Sequence, residues 1–411
     1  MNENEILREE VPAPAENSAQ TAASETATLP VSEVTAAEET APATPVADET
    51  SEEAASAAEE PAPLTEEEIR DGEKAKVGKI ASRVGIFVTV TYLIWMVLTA
   101  LTVAIGMGIA EGIASAVGGK ADAAEPYVTL FANVAALFSA AMIARAILPK
   151  AEAVPRSKFG VGHFFCALGA TVVCVMITAP LGQGFTHMWN LLTGSKSGWP
   201  LDADFWPMLI FAGILTPIVE ELIFRRFLIG RLRPLGEGMA IVISAAIFAV
   251  FHMNFTQIFF TFFCGLVWGY VYCRSGKFHY AVLLHMAYNS VYGILLPYMT
   301  EWSLEAMDQI KSVGGTLMPE DILPFIGNLL ILLAYGSLIL VIVALAVLGV
   351  ITLSRTLPRL KVEKGELSLT RQEKLRAVFT ASGFIAMLLV GAIYLVSNVM
   401  STPVLSLLLQ R

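Results

Sequence analysis

From about residue 84 onward, long apolar stretches alternate with short polar links. Crossing a bilayer takes about 20 mostly apolar residues, so each long stretch is a candidate membrane span. Nine are expected, at Val84–Ala110, Tyr127–Leu148, Phe164–Leu181, Phe205–Leu228, Met239–Met253, Gln257–Cys273, Phe278–Pro297, Ile322–Leu353 and Ala377–Met400. The fifth is short and the eighth is long, which sets a range of eight to ten. The pattern predicts an all-α, polytopic membrane helical bundle of about nine transmembrane helices.

The first 75 residues have a different pattern, made mainly of Ala, Glu, Thr, Ser and Pro with few large apolar side chains. Such a segment cannot bury enough surface to offset its chain entropy, so a disordered tail is expected. It lacks the basic start and apolar core of a signal peptide. Two interpretations stay open, a solvated spacer and an electrostatic docking arm for a basic partner.

Composition supports the membrane assignment, with 55% hydrophobic and only 16% charged residues and a mean hydropathy of +0.63. Soluble proteins are nearer a quarter charged. The net charge of −10 conceals two parts: residues 1–75 hold 20 acidic and 3 basic residues, and the remainder is mildly basic. The expected partners are therefore the lipid bilayer and membrane-associated peptides or proteins, and no nucleic acid.

The basic residues of the links test the span count, because cytoplasmic loops are enriched in Lys and Arg. If all nine spans are real, every basic cluster falls on one side: Lys74 to Arg83, Lys150 to Lys158, Arg225 to Arg233, Arg274 with Lys277, and Arg355 to Arg376. This predicts an integral protein of the plasma membrane, with a cytoplasmic N-terminus and the C-terminus outside.

Ionisable side chains inside spans are rare and usually functional. The fourth span holds Glu220, Glu221 and Arg225; His252 lies late in the fifth, and His285 in the middle of the seventh, one turn before Asn289. Glu221 and Arg225 are four residues apart, so they share a helix face and can form an ion pair. Glu220 lies about 100° round the helix and lacks that partner. The spacing predicts one structural and one available carboxylate.

Depth in the membrane agrees with a buried Arg225. If Arg225 marked the interface, Glu220 would lie only about 7 Å deep, while His252 would lie about 20 Å from the start of its span. If Arg225 is buried against Glu221, the interface moves to Arg231 and Arg233. Glu220 is then roughly 16 Å deep, near the depth of His252.

These groups suit the attack of water on a carbonyl. A carboxylate in an apolar site can act as general base, and a histidine beside it can orient the water, relay a proton or hold a metal. Histidine and asparagine on another helix can donate to a developing oxyanion. Neither a GxSxG nucleophile motif nor HExxH occurs.

Three motifs carry a resemblance to a known family: "EELIFR" (Glu220 to Arg225) matches EExxxR, "FAVFH" (Phe248 to His252) matches FxxxH, and "HMAYN" (His285 to Asn289) matches HxxxN. Their order and their placement on successive spans resemble the CPBP family, which comprises type II CAAX prenyl endopeptidases and bacteriocin-processing intramembrane proteases. The resemblance covers about residues 205–297. It implies an intramembrane endopeptidase, of metalloprotease or glutamate-protease type.

The resemblance also implies roles for the matching residues. Glu220 would activate the water with help from His252, His285 and Asn289 would form the oxyanion hole, and Glu221 with Arg225 would support the helix. The cofactor stays open: a divalent metal such as zinc, held by Glu220, His252 and His285, or none.

Four regions follow from this interpretation: an acidic cytoplasmic tail (1–75), N-terminal transmembrane helices (76–200), a catalytic CPBP-like core (201–300) and additional C-terminal transmembrane helices (301–411). Two other functions stay open. A non-catalytic scaffold or immunity protein could keep the motifs without turnover. A proton- or ion-coupled transporter could use the same buried Glu and His residues, although no inverted repeat is visible.

Overall fold

The computed structural model describes residues 64–155, 157–193, 204–313 and 318–400, and the backbone alone of residues 193 and 395–400. It is 87% helical, without strands in the described ranges, which confirms the all-α expectation. Most of the acidic tail, residues 1–63, lies outside the described residues, as do residues 401–411.

The helices, numbered here in chain order, include several that change helix type along their length. They are α1 (Glu66–Val117), α2 (Glu125–Ala144), α3 (Val161–Thr193), α4 (Phe205–Leu235), α5 (Glu237–Phe251) and α6 (Phe255–Ser275). There follow α7 (Phe278–Ala287, a π-helix at Tyr288–Leu295, then Leu296–Ser312), α8 (Ile322–Thr356), α9 (Arg371–Phe379) and α10 (Ser382–Met400).

Six helices of the described chain are long and apolar enough to cross a membrane, or seven if the bent pair α9–α10 is one span. Nine spans were expected, and the fifth, seventh and ninth are not among these six. The expected seventh lies in α7, where the α-helix changes to a π-helix after Ala287. The expected fifth span is α5, whose 15 residues reach about 22 Å, short of the roughly 30 Å hydrocarbon core. The expected ninth is broken between Phe379 and Ser382, with a bend of 63°. The chain is an integral membrane protein.

Helix α1 starts well before its apolar part. Thr65 caps it, accepting from the Glu68 N–H (3.3 Å) while the Glu68 carboxylate accepts from the Thr65 N–H (2.8 Å). Such a capping box satisfies amide groups that otherwise lack partners. Three glutamates in the first turn also oppose the positive end of the helix dipole. The helix therefore begins at Glu66, inside the segment assigned to the tail.

Close backbone crossings join the C-terminal helices to the rest. Helix α10 crosses α1 at Gly383 and Gly85, where a Cβ on Gly383 would lie 2.0 Å from the Ser82 carbonyl oxygen. Helix α8 crosses α3 at Gly349 and Gly169, where a Cβ on Gly349 would lie 2.1 Å from the Gly169 oxygen. Small residues let membrane helices approach this closely.

A second attachment, the outer clasp (Arg233, Glu237, Arg274 and Glu363), ties the link before α9 to the start of α5. The Glu363 N–H donates to the Glu237 carboxylate (2.8 Å), and the Glu237 N–H donates to the Glu363 carbonyl (3.0 Å). Arg233 pairs with Glu363 at 2.6 Å, and Arg274 pairs with Glu237. The clasp thus fixes residues near 363 against the end of α4 and the start of α5.

Candidate active site

The two adjacent glutamates lie in an irregular part of α4. Thr216–Glu221 is α-helical, between π-helical segments at Met208–Leu215 and Leu222–Ile229. π-Helical turns are rare and often occur at functional sites. Pro217 contributes to the irregularity because it has no N–H to donate to the preceding turn.

Helix α7 replaces the donor that Pro217 lacks. The carbonyls four and five residues before Pro217 belong to Gly213 and Ala212. Ser290 Oγ donates to the Gly213 oxygen (3.2 Å), and Asn289 Nδ2 donates to the Ala212 oxygen (2.9 Å). Buried carbonyls need such partners. The expected site residue Asn289 therefore joins α7 to α4, and Ser290 is a neighbour that the motif does not include.

Glu221 is fully buried and has two partners. Its Oε2 lies 3.0 Å from Arg225 Nε, and neither side chain has exposed surface. Its Oε1 lies 3.1 Å from His285 Nδ1. An ionised carboxylate only accepts hydrogen bonds, so Nδ1 carries the proton of this contact. The ion pair is the one that the four-residue spacing predicted.

Glu220 contacts the other nitrogen of the same imidazole. Its Oε2 lies 3.5 Å from His285 Nε2, and its side chain keeps 10% of its surface exposed. His285 thus bridges the two glutamates, with only 3% of its side chain exposed. Of these two carboxylates, Glu220 is the one that a water or substrate can reach.

The Arg225 guanidinium is held by aromatic faces more than by hydrogen bonds. Its carbon lies 4.9 Å from the Phe248 ring centre and 5.9 Å from that of Trp268. Its nitrogens make no hydrogen bond within the described chain, because the Nε contact with Glu221 has ion-pair distance without hydrogen-bond geometry. In a desolvated site, cation–π attraction to these two rings offsets part of the stabilisation that the missing hydrogen bonds would have given.

Phe248 and Trp268 also fix the His285 ring. Trp268 stacks on it at 4.3 Å between centres, and Phe248 meets it edge-on at 5.7 Å. The Trp268 Nε1–H donates to Thr171 Oγ1 at 3.1 Å, which links the stack to α3. The sequence analysis missed this role for Trp268, which belongs to none of the three motifs.

His252 lies at the end of α5, where Met253 turns the chain with a positive φ of 52°. Its Nδ1 lies 2.8 Å from the Phe248 carbonyl oxygen, and its ring lies 4.7 Å from the Phe248 ring. A carbonyl can only accept, so Nδ1 carries the proton and Nε2 is left as an acceptor. The contacts of His252 are with Phe248, and the structure gives it none with Glu220.

The expected metal ligands do not form a metal site in this arrangement. Within the described ranges, no three His, Cys, Asp or Glu side chains are grouped so as to hold an ion. Glu220 and His285 contact each other, while His252 is directed to Phe248. Tetrahedral zinc needs at least three protein ligands converging at about 2 Å.

One comparison with known proteins gives a match. Residues 202–291 match the family model described as "Type II CAAX prenyl endopeptidase Rce1-like". The matched range contains all three motifs, and it agrees with the CPBP resemblance expected from them. Searches among curated proteins and among solved structures found no similar protein.

Proposed function

We propose that this membrane protein, whose residues 202–291 form an Rce1-like domain, is an intramembrane endopeptidase. It would hydrolyse a peptide bond in a membrane-associated protein or peptide. The observation that carries the proposal is the contact of one imidazole with two buried glutamates, of which only Glu220 keeps exposed surface. The same domain type supports a CAAX-type protease.

In the proposed reaction, Glu220 takes a proton from the attacking water as the water oxygen bonds to the scissile carbonyl. His285 Nε2 lies beside Glu220 and can share that proton, which then passes to the leaving amine. Glu221 contacts Nδ1 and so fixes the orientation of the ring. The role of Glu221 and Arg225 is thus to hold His285 in place.

The oxyanion that develops needs donors nearby. We propose Asn289 for this part of the site, because His285, the other expected donor, contacts both glutamates. Asn289 uses one N–H on Ala212 and retains a second. Since the ligand set does not converge, the proposed reaction is carried by side chains, and chelation of metals should leave it unchanged. Elemental analysis of the purified protein, together with assays after chelation, tests that point.

The basic links support one orientation of the protein in the membrane. We propose that the end of the bundle carrying Arg231, Arg233 and Arg274 faces the cytoplasm, where basic residues are enriched. The acidic tail would then be cytoplasmic too, because α1 begins at Glu66 and its basic residues, such as Lys76, lie on the same side as that end.

The decisive experiment compares membrane peptides from cells that carry the wild type or Glu220→Gln. Loss of a general base lowers turnover by about 10²- to 10⁴-fold, so the cleavage products should disappear while the substrate accumulates. Glu111→Gln, on an exposed face of α1, is the matched control and should keep full activity. Cleavage at the wild-type rate by Glu220→Gln would overturn the mechanism.

A transporter would give a different result. Purified protein in proteoliposomes should show no proton or ion flux that depends on Glu220. Flux abolished by Glu220→Gln, without any cleavage product in the wild type, would replace the protease by a transporter.

A further inference from the structure

A cavity of about 270 Å³ lies away from the candidate active site, where α1, the link after α2 and the end of α4 meet. Five basic side chains line it, and one acid. Its lining comprises Lys76, Lys79, Ile80, Arg83, Pro149, Lys150, Glu152, Arg231 and Pro234. We call it the basic pocket. So strong an excess of one charge in a concave site favours an anionic ligand.

Most of these cations are not neutralised by the protein. Lys79, Arg83 and Lys150 form no ion pair with any described residue, and Lys76 reaches only Glu366 at 3.7 Å, with both side chains more than half exposed. Exposed pairs of this kind contribute little. The charge of the pocket is therefore available to a ligand.

Arg231 is positioned in advance. Its Nε donates to the Pro149 carbonyl (3.0 Å) and its Nη1 to the Phe227 carbonyl (2.7 Å), both neutral acceptors. The guanidinium is thereby fixed in the wall of the pocket while its charge remains uncompensated. Planar guanidinium groups recognise phosphate oxygens well.

Glu152 opposes this field. Burial raises the pKa of its carboxyl, and the nearby Glu366 carboxylate raises it further, while Arg233 and Lys76 act in the other direction. One carboxylate among five cations leaves the pocket with a clear excess of positive charge. Removing this charge should strengthen the binding of an anion.

The position of the basic pocket favours a lipid over a soluble ligand. Ile80 contributes to its lining, and Arg83 lies one turn before Ile86, the first of a series of exposed apolar residues on α1. That series continues with Leu93, Val97 and Leu101, each more than 45% exposed. Basic residues at the end of an exposed apolar helix face can bind an anionic lipid headgroup while the acyl chains lie along that face.

We propose that the basic pocket binds a phosphate group and that an anionic phospholipid supplies it. The phosphate would lie among Lys79, Arg83, Lys150 and Arg231, with an acyl chain along the exposed apolar face of α1. The basic pocket is separate from Glu220 and Glu221, and it would bind lipid whether or not the chain is a protease.

The test measures lipid binding to the full chain in detergent by native mass spectrometry and by thermal shift. Dioleoyl-phosphatidylglycerol should bind at least about tenfold more tightly than dioleoyl-phosphatidylcholine. The double variant Lys79→Glu/Lys150→Glu should lose about tenfold or more, since each basic residue near anionic lipid contributes roughly fivefold. If that variant does not fold, Lys79→Gln/Lys150→Gln should still show a several-fold loss.

The controls separate the basic pocket from general surface charge. Lys361→Glu/Lys364→Glu makes the same charge change on the exposed link after α8, and it should alter binding by less than about twofold. Glu152→Gln should tighten binding. Equal losses in the two double variants would overturn the proposal. So would glycerol 3-phosphate binding as tightly as phosphatidylglycerol, which would identify a soluble phosphate as the ligand.

Discussion

Two groups of charged side chains in this protein both contain Glu–Arg pairs, yet they differ in how deeply those pairs are buried. The inner cluster (Glu220, Glu221, Arg225 and His285) is buried, with its arginine and one glutamate wholly without exposed surface. The outer clasp joins the link before α9 to the start of α5; its Glu237 side chain is buried too, but its Arg233–Glu363 pair lies at the surface, with half of the Glu363 side chain exposed. Burying charges costs several kcal/mol per ion, whereas exposed pairs cost and contribute little.

The difference indicates what each group is for. The inner cluster carries the desolvation cost without hydrogen bonds from the Arg225 nitrogens, so stability alone does not explain it, and a chemical role fits it better. In the outer clasp the Glu363 main chain makes two hydrogen bonds to Glu237, one to its carboxylate and one from its N–H, beside the two arginine pairs. It attaches a segment outside the matched range 202–291, which is a structural role.

The largest effect on stability is expected from breaking the inner ion pair. Glu221→Ala leaves the Arg225 charge buried and unpaired, which costs about 3–5 kcal/mol. The thermal midpoint in detergent should fall steeply. The double variant Glu221→Met/Arg225→Met removes both charges and should recover most of that loss, because apolar replacement of a buried pair is often neutral.

Comparing the single and the double variant shows whether the inner ion pair lowers or raises the stability of the protein. If the double variant is as unstable as Glu221→Ala, the inner pair is a net stabiliser and the contrast with the outer clasp fails. Activity gives the second reading: the double variant should stay inactive even when stable, since His285 has lost the carboxylate that fixes Nδ1.

The second-largest effect on stability is expected at the crossing of α10 and α1, and it tests whether charges or close backbone crossings hold the C-terminal helices. In Gly383→Ala the new methyl group would lie 2.0 Å from the Ser82 oxygen, and overpacking of this kind costs about 1–3 kcal/mol. Gly112→Ala, which has nothing within 4 Å, is the matched control and should be neutral or slightly stabilising. Equal stability of the two variants in detergent would contradict the crossing.

Much of this architecture could be predicted from the chain alone. Long apolar runs predicted the helices, and the spacing of Glu221 and Arg225 predicted their ion pair. The motif resemblance placed Glu220 and His285 in one site, but spacing could not predict their direct contact, because His285 is 65 residues away in sequence and only helix packing brings it to 3.5 Å. The stacking of Trp268 on His285 depends on the same packing.

The helix irregularities were also beyond sequence reasoning. The sequence analysis expected an unbroken span around Pro217, and the pattern did not show that Asn289 and Ser290 would donate to the carbonyls of Ala212 and Gly213. Apolar stretches predicted the long helices well. They predicted a membrane span at α5, whose 15 residues are too few to cross the membrane. The roles of Glu220, His252, His285 and Asn289 stay predictions, as do the four regions.

An intermediate effect on stability and turnover is expected from changing Trp268, whose ring stacks on His285. Trp268→Phe keeps an aromatic face but loses the hydrogen bond to Thr171, a loss of about 1 kcal/mol. Thr171→Val removes the same hydrogen bond but keeps the indole, and it is the matched control; it also removes the bond from Thr171 Oγ1 to the Ala167 carbonyl. If the stack positions His285, Trp268→Phe should lower turnover clearly more than Thr171→Val at similar stability. Equal turnover would mean that Trp268 is a packing residue only.

The smallest effect is expected at the outer clasp. Arg233→Ala removes the 2.6 Å pair with Glu363, and such a pair is worth about 0.2–1 kcal/mol, less at high salt. The main-chain contacts of Glu363 with Glu237 do not involve the Arg233 side chain, so the link should stay attached. Asp308→Asn, which breaks the exposed pair with Lys311, should have a similarly small effect. If Arg233→Ala lowers the thermal midpoint as much as Glu221→Ala does, the Arg233–Glu363 pair contributes as much to stability as the inner pair. Burial would then not explain the difference between the two groups.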